Sequence, residues 1–256
     1  MRRTGIALLL ATAAPAVAQS PGETVRFISC PIYRDVDAGR KSGCWLADER
    51  ETGRRFDIGN APTKPDWNHE VLVEGRVSDA PDSCGGVVLE PVRVSVLADA
   101  CTRQMLPAES YPGRPFALPE RNVRPLSEAR PAPLPPFTEK TFYLLYDFNR
   151  AFIVYQLDDY LLDQAVTWIR GVMPKKIIVT GYAATKPAII SGRRIAETPD
   201  IARKRAESIA EALIRMGADS KVIETKWRSG AEPTEAPGAD GLAEPSRRRV
   251  EIRVIP

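Results

Sequence analysis

The sequence predicts an α+β protein made of two unlike parts, and three observations carry that prediction. All four cysteines lie in the first 101 residues. Every strongly periodic helical segment lies in the second half of the chain. Between the two, the stretch from Pro107 to Pro136 holds nine of the 23 prolines. Such a stretch lacks too many N–H donors to keep a helix or a sheet, so it reads as an extended spacer. The expected division is a signal peptide at 1–18, a small all-β domain with two disulfides at 19–106, a Pro-rich linker at 107–137, and an α/β sandwich domain at 138–256.

The first residues indicate export. Arg2 and Arg3 precede the short apolar run "GIALLLATAA", and "AVA" before Gln19 is a small-residue cleavage site. The run is too short to span a bilayer comfortably, and no later stretch is apolar enough to do so. The expected product is a periplasmic protein that is not integral to the membrane. The formal net charge of +3, two units of which belong to the leader, argues against nucleic acid as the main partner.

The all-β part is expected from "TVRFISC", "GCWLAD", "RRFDIG", "EVLVEGRV" and "GGVVLEPVRVSVL". These segments alternate apolar and polar residues or are rich in β-branched ones, as in a small antiparallel sheet or barrel. Four cysteines in an exported chain read as two disulfides, with three connectivities open. The short spans favour Cys30–Cys44 and Cys84–Cys101, each contributing roughly 3 kcal/mol in the chain-entropy model. Metal is not expected, because no C-x-x-C pair is present and His69 is the only histidine. "DVDAG" at 35–39 reads as a turn, because the loop-closing glutamate of a calcium site is missing.

The second part opens with the strand "FYLLY", then turns at Asp147, Phe148, Asn149 and Arg150. Helical spacing follows through Leu157, Tyr160, Leu161, Ala165, Trp168 and Ile169 and stops at Gly171. "KKIIVTG" is a short buried strand, 198–216 a second helix, "KVIETKW" a third strand and "RRRVEIRVI" the last. A Gly/Pro/Glu-rich loop is expected at about 229–245. The order is β-α-β-α-β-β, with helices covering one face of a sheet.

The second helix contains an anomaly. Thr198 is a good N-cap, Pro199 suits the first helical position and Gly217 can end the run. Projected at about 100° per residue, Ile201, Ala202, Ile209, Ala212, Leu213 and Met216 share a core-facing stripe. Arg205 falls inside that stripe, about 40° from Ile201. A buried cation is costly unless an anion or several acceptors meet it. Three explanations stand open: a guanidinium that snorkels past the helix edge, an internal pair with a carboxylate such as Asp147 or Glu197, or a seat for an external carboxylate.

These residues resemble the OmpA-like domain that holds peptidoglycan in Gram-negative bacteria. The marks are "YDFN", "VTGYAAT", "IARKRAESIAEAL" and "SRRRVEI", in order, across about residues 138–256. Family members usually read F-D-F-D or F-D-F-N, then G-H-T-D, L-S-x-x-R-A and N-R-R-V-E. The resemblance implies that Arg205 receives a carboxylate of diaminopimelate from the stem peptide. It also implies a pocket formed by Asp147, Asn149, Gly181, Ala184 and Thr185, with Arg249 or Arg248 as the closing arginine. Tyr182 replaces the family's histidine and is expected to pack near the pocket mouth.

Two departures stand out. Ala184 occupies the place of the aspartate that holds the ligand's ammonium, a loss worth about 2–5 kcal/mol if that ammonium stays buried and unpaired. From Ala184 to Arg205 the chain is also about six residues longer than usual, within "KPAIISGRRIAETP". Three outcomes follow: weak binding, a substitute carboxylate such as Asp147 or Glu197, or a domain redirected to a protein partner or another anion through Arg193, Arg194 and Arg205. The functions expected are a non-catalytic peptidoglycan tether or, as the alternative, a scaffold module in an envelope assembly. No cofactor is expected. An enzyme finds no support in one histidine and no nucleophile motif. The remaining arginines of the 247–249 run read as a solvated strand face.

Overall fold

The computed structural model describes residues 20–35, 43–82, 84–108, 131–153 and 156–256, with side chains from 161 onward in the last stretch. The expected signal peptide, most of the Pro-rich linker and most of "DVDAG" lie outside these residues.

The N-terminal part is all β. Its strands are β1 (Thr24–Ser29), β2 (Pro31–Arg34), β3 (Cys44–Glu49), β4 (Arg54–Asp57), β5 (His69–Val77), β6 (Val87–Ala100) and β7 (Gln104–Leu106). They form one seven-stranded sheet in the order β1-β5-β6-β4-β3-β2-β7, so β1 and β7 are its two ends. One side chain in two along β1, β5 and β6 enters a shared core: Val25, Phe27, Val71, Val73, Val77, Val92 and Val94 pack with Ala47, Phe56 and Ile58. The five expected strands are present. The short β2 and β7, which pair in parallel, were too brief to show a period.

The disulfides are Cys30–Cys101 and Cys44–Cys84, which corrects the expected local pairing. The sheet order explains the difference. Both β1 and β6 run antiparallel to β5, so they are parallel to each other and finish at the same end. Cys30 and Cys101, which follow them, meet across the start of β5. Cys44 opens β3 beside the end of β4, and β4 lies in parallel register with the start of β6, just after Cys84. The closed loops span 71 and 40 residues, so each bridge is worth about 4 kcal/mol in the chain-entropy model.

The C-terminal part comprises β8 (Lys140–Leu145), α1 (Gln156–Val172), β9 (Lys176–Ala183), the hairpin β10 (Ala188–Ile190) and β11 (Arg193–Ile195), α2 (Ile201–Arg215), β12 (Ile223–Ser229), α3 (Ala243–Ser246) and β13 (Arg249–Ile255). The sheet order is β12-β9-β13-β8, with β12 and β9 parallel and the other pairs antiparallel. Both long helices cover one face. Phe142, Leu144, Ile177, Val179, Val250, Ile252 and Val254 meet Leu162, Ala165, Ile169, Ala206, Ile209 and Leu213 there.

This is the expected β-α-β-α-β-β order with the β10–β11 hairpin inserted, and the hairpin supplies the residues that lengthened "KPAIISGRRIAETP". The second helix starts slightly later than expected. Asp200 is its N-cap, Thr198 accepts the Ile201 N–H through its carbonyl, and Gly217 ends it at φ +99°.

The loop after β12 is not a free surface loop. Ala236 and Ala239 pack on Leu145 and Tyr143, on the side of the sheet away from the helices. The two parts also touch directly. Ile28, Leu72 and Leu97 of the N-terminal sheet share an apolar cluster with Phe148, Ala188, Ile190 and Ile195.

Candidate functional site: a carboxylate seat filled from within

Glycine at 181 creates the site. A Cβ on Gly181 would lie 2.0 Å from the Ala202 carbonyl oxygen, so only glycine lets α2 approach β9 this closely. One helical turn on, Arg205 is carried under the end of β9 and beside the turn after β8. Its side chain is 0% exposed.

Every guanidinium N–H of Arg205 finds an acceptor. Nε donates to the Arg150 carbonyl at 2.8 Å. One terminal nitrogen donates to the Tyr182 carbonyl at 2.8 Å and to Glu197 at 3.0 Å. The other donates to the Asp147 carbonyl at 3.3 Å and to Glu197 at 2.5 Å. That uses the five donors a guanidinium has. The Tyr146 ring lies 4.9 Å from its central carbon.

Glu197 is the anion that matches this cation. It follows the β10–β11 hairpin, and its side chain is also 0% exposed. Besides the fork of Arg205, its carboxylate accepts the backbone N–H of Asn149 at 2.8 Å and that of Ala184 at 2.7 Å. The Glu197 N–H in turn donates to the Ala184 carbonyl at 3.1 Å. Asn149 adopts φ 56°, which aims its N–H inward, while its side-chain oxygen accepts from the N–H and hydroxyl of Thr198. Four donors thus converge on one carboxylate, a bidentate charge-assisted geometry.

Of the expected site residues, Arg205, Asn149, Gly181 and Ala184 meet here. Asn149 and Ala184 act through their backbones. Asp147 contributes its carbonyl to Arg205, while its carboxylate accepts from the Thr63 hydroxyl at 3.0 Å. Thr185 is half-buried past the end of β9 and gives no hydrogen bond to Glu197. Arg249 belongs elsewhere. It stacks 4.0 Å from the Tyr182 ring and pairs with Glu251 at 2.7 Å, on the sheet face opposite α2. Tyr182 is on that face too, so it does not line the mouth of the seat. Its hydroxyl donates to Glu251 at 2.9 Å, and burial together with that carboxylate pushes the phenol up.

The closing arginine run also departs from a solvated face. Arg248 is 1% exposed and pairs with Glu74 of β5, which Arg26 of β1 also holds at 2.8 Å. Burial alone would raise the Glu74 carboxyl. The two guanidiniums outweigh it and hold the group below the ordinary carboxylate value. Arg193 pairs with Glu70 and, at 2.5 Å, with Asp99. It is thus engaged with the N-terminal sheet rather than offered to an outside anion.

Glu197 was legible only as one of two substitute carboxylates. The signal was the extra length ahead of the helix. Cys30, Glu70 and Cys101 have potential ligand atoms within 4.8 Å of one another. The disulfide takes both sulfurs, so no thiolate is left there to bind a metal.

No protein-family model matches the chain, and no curated protein matches it. Among solved structures it is similar to the OmpA-like domain of FopA1 from Francisella tularensis subsp. tularensis SCHU S4. The identity is 19%, covering 46% of this chain and 73% of that one, with a TM-score of 0.33. It is similar as well to the peptidoglycan-associated lipoprotein from Burkholderia pseudomallei, at 20% identity over 44% of this chain and 89% of that one, TM-score 0.33. A third is the cell wall anchor of the T6SS from Pseudomonas aeruginosa, at 23% identity over 46% and 81%, TM-score 0.33.

Proposed function

We propose that this is an exported, non-catalytic protein of the cell envelope. In this reading its C-terminal half is an OmpA-like domain held in a self-ligated form, and it serves as an interaction or scaffold module rather than as a constitutive grip on stem peptides. One observation carries the reading: the Arg205 fork and two backbone N–H groups close on Glu197, with neither charged side chain exposed. An external carboxylate must displace a tethered one, whose effective concentration reaches the millimolar range or above. It must also leave Glu197 to find water. Ala184 offers no partner to an accompanying ammonium.

The periplasmic placement rests on the leader-like first residues. Among the described residues, no helix is long and apolar enough to cross a membrane.

A second reading is favoured by the donor set itself. A guanidinium fork with two convergent N–H groups suits any carboxylate, including that of diaminopimelate. Pull-downs on purified sacculi decide between them. On the first reading the wild-type protein is retained little above a control protein. Strong retention of the wild type, lost in an Arg205→Ala protein that still shows a cooperative melt at the pull-down temperature, would establish the tether instead.

A further inference from the structure

The self-ligated seat raises the question of what keeps Glu197 in place. Glu197 lies two residues past the β10–β11 hairpin, which has three residues in each strand. A two-stranded hairpin of that size is not stable on its own in water. Its outer face is wet, with Ile189 71% exposed.

Its inner face is gripped by the N-terminal sheet through three kinds of contact. The Ile28 N–H donates to the Ser191 hydroxyl at the hairpin turn, at 3.0 Å. Ile190 is buried against Ile28, Leu72 and Leu97. Arg193 bridges Glu70 of β5 and Asp99 of β6. Beside the hairpin lies a cleft of about 230 Å³ whose wall includes Ala184, Lys186, Phe148, Ile195 and Arg26. It reaches Ala184, one of the backbone donors to Glu197. Arg26 and Arg247 of its wall pair with Glu244, which also lines it, and the exposed Lys186 is the cation that faces an arriving anion.

Resting on the self-ligated reading, we propose that the N-terminal sheet is a latch. By gripping the β10–β11 hairpin it holds Glu197 in the Arg205 seat, and its release opens the seat to a carboxylate-bearing ligand arriving through the cleft. The release needs no new bond. One carboxylate replaces another on the same four donors, and the hairpin swings out with Glu197 into water.

The experiment uses the full mature chain with acetate as the probe, against chloride at equal ionic strength. Glu197→Ala vacates the seat, and Arg193→Glu reverses the charge that faces Glu70 and Asp99. Arg193→Ala is a milder form in case the reversal impairs folding. Two readouts apply: the acetate-specific rise in Tm, and hydrogen exchange of the amides from 188 to 197.

The wild type should show no acetate-specific rise, and Glu197→Ala should show one. The Arg193 variants should exchange at least tenfold faster across 188–197, with α2 unchanged, and should acquire an acetate response that Arg205→Ala removes. Arg193 variants that match the wild type in both readouts, while Glu197→Ala responds to acetate, would overturn the latch and leave the seat intact. A Glu197→Ala protein indifferent to acetate would remove the seat itself, and the latch with it.

Discussion

The Arg205–Glu197 pair shows why a buried ion pair is asymmetric under mutation. Intact, it contributes little beyond an apolar pair of the same shape, because desolvation offsets the attraction. Broken, it leaves a charge with no water. Arg205→Ala should therefore lower stability by about 3–5 kcal/mol, since Glu197 is left with two backbone donors and no cation. Glu197→Ala should cost a similar amount, because the three carbonyls around Arg205 cannot neutralise it. The double variant should cost clearly less than the two single losses added together, and denaturant melts of the four proteins give that coupling. A purely additive result would mean that the two groups are not a pair in solution. At this scale the sequence was informative about position and not about partner. Helical spacing placed Arg205 in the core. The choice of Glu197 over Asp147 depends on the fold of an inserted hairpin, which no local pattern specifies.

Strand alternation worked in the same partial way. Along β1, β5 and β6 it identified the inward valines and phenylalanine. The other face carries Arg26, Glu70, Glu74, Arg76, Arg93, Ser95 and Asp99, a pattern that alternation alone does not distinguish from a solvated one. Those polar residues instead meet the C-terminal half. The Ser95 hydroxyl accepts the Phe148 N–H, Arg76 donates to the Gly241 carbonyl, Arg93 to that of Gly238, and Glu74 pairs with Arg248. Period two reports that a strand has two faces, but not whether the polar face meets water or a matched polar surface. Leu72 and Leu97, apolar on that same face, were the residual signal.

Glu74 supplies a test at this level. Its folded-state pKa lies below the ordinary value, so the stability it contributes is present above its unfolded pKa. It is lost as pH falls through the folded one. Wild-type Tm should be steady near neutrality and drop in the acid range below about pH 4.5, the ordinary carboxyl value. Glu74→Gln should melt lower at pH 7, because Arg248 and Arg26 lose their anion, and its Tm should fall less on acidification. Parallel acid slopes for the two proteins would show that Glu74 is not the group responsible.

For the molecule as a whole, the sheet-rich, disulfide-bonded first part and the mixed α/β order of the second were largely readable. Their mutual docking was not, because it joins residues far apart in sequence through polar atoms and one insertion. Two expectations change as a result. Non-reducing mass mapping should give Cys30–Cys101 and Cys44–Cys84, and a local pairing would contradict the sheet order. The loop at 229–245, whose Gly/Pro/Glu-rich composition suggests exposed backbone and a site of early proteolysis, should resist protease. The Arg93 and Arg76 contacts and the buried Ala236, Ala239 and Leu242 hold it, and a protease needs exposed, freely moving backbone. Early cleavage there in a limited digest would mean that the two parts separate in solution.

The Arg248 bond to Glu74 crosses 174 residues of chain, and its arginine sits just ahead of the last strand. Contacts of such separation are slow to form, because the chain must lose much of its freedom before they return anything. The N-terminal sheet can therefore assemble and oxidise while its polar face still waits for a counterpart made last. Until β13 is threaded into place, Glu74 keeps its water and only Arg26. The last strand then acts as a fastening for both halves: β13 lies between β9 and β8, so a chain that stops short of it should keep the disulfide-bonded N-terminal sheet and lose the C-terminal fold together with the joint.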